Sequence, residues 1–227
     1  MSSVLVEGVL LDCGAGATGR LHELALFDRV DAVLVSHLHS DHIAGLSDLL
    51  MHTVISGRKR PLTIVSPPGL SPILRAMNAA GSLVKDPATL YDLRLVEEPR
   101  PEVTLGPWKV RGIPLPHTVY NLGYLLDSEE GKVYYTGDTG QPSVPEGLRA
   151  DFVIHESTYA DRHSDLAEQF RHSTASQAAR AAAAMGARRL FVTHLGSWEG
   201  TDAEVAREVR AGFRDSTVAE DNGQYDL

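Results

Sequence analysis

Residues 36–42 read SHLHSDH and place three histidines and one aspartate within six consecutive positions. Imidazole and carboxylate groups are ligands that suit zinc and related divalent metals. In an extended chain His37 and His39 point the same way, because side chains alternate with a period of two. A turn after them brings Asp41 and His42 towards a second position. The spacing therefore predicts that this one stretch serves two neighbouring metal ions.

Three more ligand-type side chains, His117, Asp138 and His194, each stand just past a run of residues that predicts a β-strand. The histidine-rich stretch likewise follows a predicted buried strand over residues 31–35 and precedes a predicted helix. A single histidine after a strand is more often structural. Four strand ends that deliver such groups indicate a shared site, because ligands collect at the carboxyl ends of strands in layered α/β proteins.

Strand and helix patterns alternate along the rest of the chain. Strands are predicted at 4–12 (a hairpin around Gly8), 31–35, 62–65, 93–96, 103–105, 108–113, 122–127, 132–136, 151–155 and 190–193. Helices are predicted to follow a glycine-rich loop at 13–19, to reach Ile55 after the histidine-rich stretch, and to span 72–80 with Ser71 as the cap, 175–185 and 201–213. This order predicts an α/β fold, with two sheets packed face to face and helices outside, in a single domain over residues 1–227.

Composition limits the classes of function. The chain has 227 residues, 43% of them hydrophobic, which is typical of a globular protein with a sizeable core. A formal net charge of −9 is unlike that of a general nucleic-acid binder, so any basic patch must be local. No apolar run approaches the ~20 residues that span a bilayer, and no signal-peptide pattern is present. The single cysteine, Cys13, fits a reducing compartment, and we expect a cytoplasmic protein without membrane contact.

The H-x-H-x-D-H pattern, followed in order by a later His, Asp and His, resembles the signature of the metallo-β-lactamase superfamily. That resemblance implies a four-layer αββα sandwich and a two-zinc site, with Mn²⁺ or another divalent ion as the alternative metal. By the same resemblance one zinc would be held by His37, His39 and His117. The other would be held by Asp41, His42 and His194, and Asp138 would bridge the two.

Several further motifs are similar to those of the ribonuclease Z group, the tRNA 3′-processing endonucleases and their relatives. They are residues 11–14 (LDCG), 117–124 (HTVYNLGY), 136–139 (TGDT), 154–158 (IHEST) and 172–175 (HSTA). The resemblance implies that His172 is the general acid, that Glu156 orients it, and that Asp41 orients the nucleophile. Such an acid is chemically reasonable, because an alkoxide that leaves phosphorus needs a proton. His22, His52, His155 and His163 are expected to be structural or exposed.

The chain departs from this group at one informative place. Ribonuclease Z enzymes that carry a tRNA-gripping flexible arm insert it between the later His and the Asp, but His117 and Asp138 are only 21 positions apart. We therefore expect an arm-less, two-zinc phosphodiesterase that acts on RNA or on a small cyclic or aryl phosphodiester, with a homodimer as the oligomer that the group implies. Alternatives are hydrolysis of a thioester, lactone, β-lactam or sulfate ester, and a non-enzymatic metal-dependent scaffold. A zincin is excluded, because Tyr159 breaks the H-E-x-x-H pattern that would begin at His155.

Overall fold

The structure is a computed structural model that describes residues 2–79, 92–196 and 201–226. The chain divides into two compact units, Met1–Pro101 and Glu102–Leu227, and each unit contains one β-sheet. The single domain over residues 1–227 stays a prediction. Among the described helices, none has the length and hydrophobicity that crossing a bilayer requires.

The first unit is built on a five-stranded sheet in which the strands follow one another in chain order. The strands are β1 (Val4–Val6), β2 (Val9–Leu11), β3 (Ala32–Leu34), β4 (Leu62–Ser66) and β5 (Leu93–Glu97). The first pair is antiparallel and every later pair is parallel. The helices are α1 (Ala17–Glu23), α2 (Ser40–Ile43), α3 (Leu46–Ile55) and α4 (Leu70–Ala79). Leucine, isoleucine and valine side chains of β2, β3 and β4 pack with those of α3 and α4 into one buried core.

The second unit is built on a seven-stranded mixed sheet. In chain order its strands are β6 (Glu102–Leu105), β7 (Trp108–Leu115), β8 (Asn121–Asp127), β9 (Lys132–Tyr135), β10 (Phe152–Glu156), β11 (Arg189–Thr193) and β12 (Ser216–Val218). Strands β6 to β9 pair antiparallel, and β9 to β12 pair parallel. The helices are α5 (Ser164–Phe170), α6 (Ala175–Met185) and α7 (Thr201–Gly212). In the core of this unit, apolar side chains of β10 and β11 pack against the buried alanines of α6 and against valines of α7.

Strand direction explains where the polar side chains emerge. In the second unit β7, β9, β10 and β11 run the same way, so the residues that follow them leave one edge of the sheet. His117, Asp138 and His194 come shortly after β7, β9 and β11, and Glu156 is the last residue of β10. In the first unit β2 and β3 are parallel, so residue 12, which follows β2, and residues 35–39, which follow β3, leave the same edge of that sheet.

Most of the predicted elements are present, and three differences have a physical reason. Ser71 does not cap α4 from outside; it lies within the helix, and the Glu97 carboxylate accepts hydrogen bonds from the Gly69 and Ser71 amides and from the Ser71 hydroxyl. The predicted end of α4 at residue 80 lies outside the described residues. Helix α1 ends at Glu23, and a 3₁₀ turn at Phe27–Arg29 replaces its predicted continuation. Helix α5 and strand β12 were not predicted, because each is short and neither has a clear apolar period.

Candidate metal centre

A buried aspartate organises the histidine-rich stretch of the first unit. Asp12 follows β2, is fully buried, and accepts hydrogen bonds from the Ser36 amide (2.6 Å) and the Ser36 hydroxyl (2.7 Å). The His42 Nδ1 donates to the same carboxylate at 2.6 Å. This contact leaves the lone pair of His42 on Nε2, as a metal ligand requires, because a carboxylate on one ring nitrogen fixes the tautomer of the other.

His37 and His39 place two nitrogen atoms where one metal ion could receive both. His37 Nδ1 donates to the Ser36 hydroxyl at 2.9 Å, so its Nε2 carries the lone pair. That Nε2 lies 3.0 Å from His39 Nδ1. Two ligands with bonds of about 2.0–2.1 Å to one zinc ion stand roughly 3 Å apart in tetrahedral or square geometry. The extended backbone therefore brings the two imidazoles together as the spacing predicts.

Asp41 and His42 form the second group of ligand atoms in this stretch. They lie in the short helix α2, and Asp41 Oδ2 is 3.5 Å from His42 Nε2. The His42 side chain is fully buried, whereas 42% of the Asp41 side chain is exposed. The turn into α2 therefore presents a second group of ligand atoms beside the first, since the His42 and His37 ring centroids are 4.1 Å apart, and it leaves the Asp41 side chain partly exposed.

In the second unit one carboxylate stands between two imidazoles. Asp138 follows β9 and is 2% exposed. Its Oδ2 lies 3.4 Å from His194 Nε2 and 4.0 Å from His117 Nε2. These distances suit a carboxylate that contributes to the coordination of two metal ions, one near each histidine.

The remaining ring nitrogens of these two histidines are held by the protein. His117 Nδ1 donates to the backbone carbonyl of Arg171 at 3.0 Å, and His194 Nδ1 lies 3.1 Å from the Thr158 hydroxyl oxygen. Both contacts leave the lone pair on Nε2, the atom that approaches Asp138. His194 holds this position with a φ of 54°, a left-handed conformation in which a residue with a side chain is uncommon.

Glu156 collects five hydrogen bonds at the end of β10. Its Oε1 accepts from the Thr139 and Ser173 amides and from His172 Nδ1, each at 3.0 Å. Its Oε2 accepts from the amide (2.8 Å) and hydroxyl (2.9 Å) of Thr158. The carboxylate is 1% exposed and is therefore saturated by donors in a fixed orientation.

His172 lies between the two histidines of this edge and keeps one nitrogen accessible. Its ring is stacked on His194, with centroids 5.8 Å apart, and meets the edge of His117 at 4.9 Å. Burial by itself lowers the pKa of His172, but the hydrogen bond and charge of Glu156 outweigh it, so that the pKa is raised above its usual value. With Nδ1 held by Glu156, Nε2 is the atom that can give a proton to a bound group.

The donor set fits divalent metal ions. Imidazole nitrogens and carboxylate oxygens are the ligands that zinc and manganese take in proteins. The four histidines with a held Nδ1, namely His37, His42, His117 and His194, all offer Nε2, and all four are anchored by hydroxyl, carboxylate or carbonyl oxygens. Such outer contacts are typical of metal-ligating histidines, because they set the tautomer and the ring orientation.

Four contributors were not identified from the sequence. Asp12, the Ser36 and Thr158 hydroxyls and the Arg171 carbonyl hold the predicted ligands but received no role. Asp12 could have been found by the search for ligand-type side chains just past a strand, which identified His117, Asp138 and His194, because it also follows a buried strand. The Arg171 carbonyl gives no signal in the sequence, since any residue has one.

His155, His22 and His52 occupy the structural or exposed positions expected of them. His155 is fully buried, and its two ring nitrogens bond the Glu156 carbonyl and the Ser143 hydroxyl, at 2.7 and 3.0 Å. Burial lowers the pKa of His155, which keeps the ring neutral. His22 and His52 contact each other at 3.0 Å on the surface. These rings pack and hydrogen-bond without joining the ligand groups of either unit.

Comparison with known sequences identifies similar proteins over most of the chain. The beta-lactamase superfamily domain matches residues 8–195. The ribonuclease Z of Salinibacter ruber is 30% identical over a match that covers 96% of this chain and 85% of the relative. The ribonuclease Z of Ignicoccus hospitalis is 28% identical over a match that covers 94% of this chain and 87% of the relative.

Comparison with solved structures gives the same result. The short form of human tRNase Z superposes with a TM-score of 0.76 at 26% identity, over 96% of this chain and 88% of that protein. The metallo-beta-lactamase fold protein YhfI from Bacillus subtilis superposes with a TM-score of 0.74 at 23% identity, over 92% and 81% of the two chains. These matches confirm the predicted fold class, an α/β protein with two sheets and accompanying helices.

Proposed function

The chain belongs to the beta-lactamase superfamily and, within it, to the ribonuclease Z group, and we propose on that premise that it is a two-zinc phosphodiesterase that cleaves RNA. It is a metal-dependent hydrolase. The observation that favours a phosphodiester over another ester is the pair formed by Glu156 and His172. The distance between Glu156 Oε1 and His172 Nδ1 is 3.0 Å. A held imidazole beside metal ligands suits a reaction whose leaving group needs a proton.

The proposed ligand assignment follows the resemblance seen in the sequence. His37, His39 and His117 bind one zinc ion, Asp41, His42 and His194 bind the other, and Asp138 bridges them. The contacts of Asp138 with two histidines support the bridging role. The held Nδ1 atoms of His37, His42, His117 and His194 support coordination through Nε2.

Each catalytic side chain has one proposed task. When bound, the two ions supply an activated hydroxide and offset the negative charge that develops on the phosphoryl oxygens. His172 gives the proton on Nε2 to the oxygen that leaves phosphorus, and Glu156 keeps the opposite nitrogen in place. Asp41, whose carboxylate is partly exposed, accepts a hydrogen bond from the attacking group and orients it.

The proposed substrate class is RNA, since the similar proteins are named ribonuclease Z and tRNase Z. Between His117 and Asp138 the structure has only β8, the turn at residues 128–131 and β9, so no arm is inserted there. A tRNA precursor would have to be held by other surfaces. The cytoplasmic location and the homodimer stay predictions.

A panel of substrates tests this proposal. Zinc-loaded protein is incubated with a precursor tRNA that carries a 3′ trailer, an unstructured RNA, 3′,5′-cyclic nucleotides, and thioester and lactone substrates. We expect endonucleolytic cleavage of RNA with the highest kcat/KM, and loss of that cleavage in His172→Ala. Turnover of a thioester or lactone that exceeds RNA cleavage, and that His172→Ala leaves intact, would overturn the proposal in favour of another ester.

A further inference from the structure

Helix α5 turns its large apolar side chains towards solvent. In Ser164–Phe170 the buried residue is Ala167, while Leu166 is 38% and Phe170 is 45% exposed. Leu166 and Phe170 are four positions apart and therefore lie on one face of the helix. This inverts the usual pattern, in which the large apolar residues of a helix face the core. An outward ring at the end of a helix suggests a contact made with something other than the protein's own core.

The end of α5 is joined directly to a metal-ligand residue. Arg171 caps the helix in a left-handed conformation with a φ of 53°. Its carbonyl accepts from His117 Nδ1 at 3.0 Å, and its guanidinium donates to the His117 carbonyl at 3.1 Å. This reciprocal pair of hydrogen bonds holds Arg171 against the backbone and ring of His117, and Phe170 is the residue before Arg171.

A second exposed aromatic side chain follows His117 on the other side of this pair. Tyr120 is 47% exposed, and its neighbour Val119 is 40% exposed. Tyr120 is three residues from His117, and Phe170 is one residue from Arg171. Two half-exposed aromatic residues thus lie within three chain positions of the hydrogen-bonded residues Arg171 and His117, all within the second unit.

We propose that Tyr120, Phe170 and Arg171 form a nucleotide-binding rim, in which the two rings stack on unpaired bases of an RNA substrate and the guanidinium contacts a phosphate. This inference rests on the proposed function and identifies part of the surface that holds the RNA. Aromatic stacking and arginine contacts are the means by which proteins bind single-stranded nucleic acid without reading its sequence. They also suit a chain of net charge −9, which cannot rely on a broad basic surface.

An RNA strand fits this surface better than a second copy of the chain does. A stable dimer buries roughly 800 Å² on each partner, and a few half-exposed side chains supply much less. The arginine charge complements a phosphate, and the hydrogen bonds between Arg171 and His117 connect the rim to a proposed metal ligand. We therefore take an unpaired nucleotide as the occupant and test the dimer as a competing outcome.

The test compares substitutions that keep or remove the ring. Phe170→Leu keeps an apolar side chain without a ring, Phe170→Trp keeps a ring, and Ile55→Ala removes an exposed apolar side chain of the first unit as a control. For each zinc-loaded variant the kcat/KM for a short single-stranded RNA is divided by that for bis(p-nitrophenyl) phosphate. We expect this ratio to fall about tenfold in Phe170→Leu and in Tyr120→Leu, to stay near wild type in Phe170→Trp, and to be unchanged in Ile55→Ala.

Binding of a labelled RNA distinguishes failure of the rim from failure of the proposed function. If the wild type does not cleave RNA, the proposed function fails, and fluorescence anisotropy with a labelled oligonucleotide then tests the rim alone. Equal affinity in the wild type and Phe170→Leu, or an equal activity ratio where RNA is cleaved, would overturn the rim. Conversion of a dimer to a monomer by Phe170→Leu, measured by sedimentation, would also overturn it and assign the surface to a second copy.

The proposed contact between Arg171 and a phosphate is tested by the salt dependence of RNA binding. The affinity of the oligonucleotide is measured over a range of salt concentrations for the wild type and for Arg171→Gln. Loss of one phosphate contact makes the negative slope of log affinity against log salt shallower by about 0.7 for a single strand. An unchanged slope would remove Arg171 from the rim.

Discussion

Asp12 carries much of the order in the histidine-rich stretch, although it is not itself assigned as a ligand. Its carboxylate accepts from the Ser36 amide, the Ser36 hydroxyl and His42 Nδ1, and it is fully buried. These contacts fix the position of Ser36, where the stretch begins after β3, and the tautomer of His42, a proposed ligand. Loss of a residue that holds a ligand in this way typically lowers metal affinity about 10- to 100-fold.

We predict that Asp12→Asn weakens zinc binding by about 10- to 100-fold. The amide that replaces one oxygen is a donor, and facing His42 Nδ1 it favours the tautomer with the proton on Nε2, which cannot bind a metal. Competition with a chromophoric chelator measures the affinity. Asp48→Asn, which changes an exposed carboxylate on α3, is the matched control. Equal affinity in Asp12→Asn and the wild type would refute the tautomer argument.

The role of His172 as a proton donor predicts a dependence on the leaving group. His172→Ala should lower kcat on RNA by about 10²- to 10⁴-fold, because an alkoxide must be protonated as it leaves. The loss on bis(p-nitrophenyl) phosphate should be much smaller, since a nitrophenolate leaves without a proton. Steady-state rates on both substrates, with metal content checked in each preparation, measure the difference. Equal losses on the two substrates would mean that His172 does not act as the acid.

At the level of the elements, the predicted glycine-rich loop and the histidine-rich stretch meet through backbone contacts. The Gly45 amide donates to the Cys13 carbonyl at 2.9 Å, and the Cys13 amide donates to the His42 carbonyl at 2.8 Å. A Cβ at Gly45 would clash with the Gly14 carbonyl oxygen and lie 3.0 Å from that of Cys13. The backbone of the glycine-rich loop therefore lies in close contact with Gly45, which has no room for a side chain.

We predict that Gly45→Ala lowers the free energy of unfolding by about 1–3 kcal/mol, the usual cost of inserting atoms into a packed region. Gly19→Ala is the matched control. Gly19 lies in α1, and a Cβ there meets nothing within 4 Å, so that it should be neutral or stabilise by up to ~1 kcal/mol. Urea denaturation measures both. A stability of Gly45→Ala within error of the wild type would contradict the close approach.

The start of α6 directly follows His172. It is held by a carboxylate from the short 3₁₀ turn at Asp161–His163, which precedes α5. Asp161 accepts from the Ser176 amide at 3.0 Å and also from the Ser176 hydroxyl. Burial alone raises the pKa of Asp161, but the hydrogen bonds from Ser176 outweigh it, so that the pKa is lower than usual. Because the folded pKa lies below the unfolded one, this stabilisation is present at neutral pH and is lost as the pH falls through the folded value.

We therefore predict that Asp161→Asn costs about 1 kcal/mol of stability at pH 7, a typical value for losing a helix cap. The difference from the wild type should shrink as the pH falls below the ordinary pKa of an aspartate. Urea denaturation at a series of pH values measures this, with Asp221→Asn, in the C-terminal segment, as the control. A difference that is independent of pH would show that the charge of Asp161 does not matter.

Local signals explain which elements the sequence predicts and which it does not. The limits of α6 are predicted at both ends, because Thr174 and Gln177 form a capping box and Gly186 ends the helix at a φ of 69°. Helix α5 was missed because Leu166 and Phe170 face solvent, so its pattern lacks an apolar face towards the core. The Glu97 cap of α4 was missed because the carboxylate comes from β5, far along the chain.

At the scale of the whole molecule, metal chemistry was predictable from sequence and substrate recognition was not. The ligand types and their order after strands indicate the superfamily, and the motifs at Glu156 and His172 indicate the group. The surface that holds a substrate depends on exposure, which a sequence does not give. Phe170 and Tyr120 are examples, because an aromatic residue type does not reveal its exposure and both side chains are nearly half exposed.

The central claim is that this chain is a metal-dependent phosphodiesterase whose metals share Asp138. The most direct measurement is hydrolysis of bis(p-nitrophenyl) phosphate by metal-free, zinc-loaded and manganese-loaded protein, beside Asp138→Ala, with bound metal counted in every sample. We predict turnover only with metal, two ions bound per chain, and loss of both turnover and at least one ion in Asp138→Ala. Full activity in that variant, or no turnover in protein with two bound ions, would contradict the account.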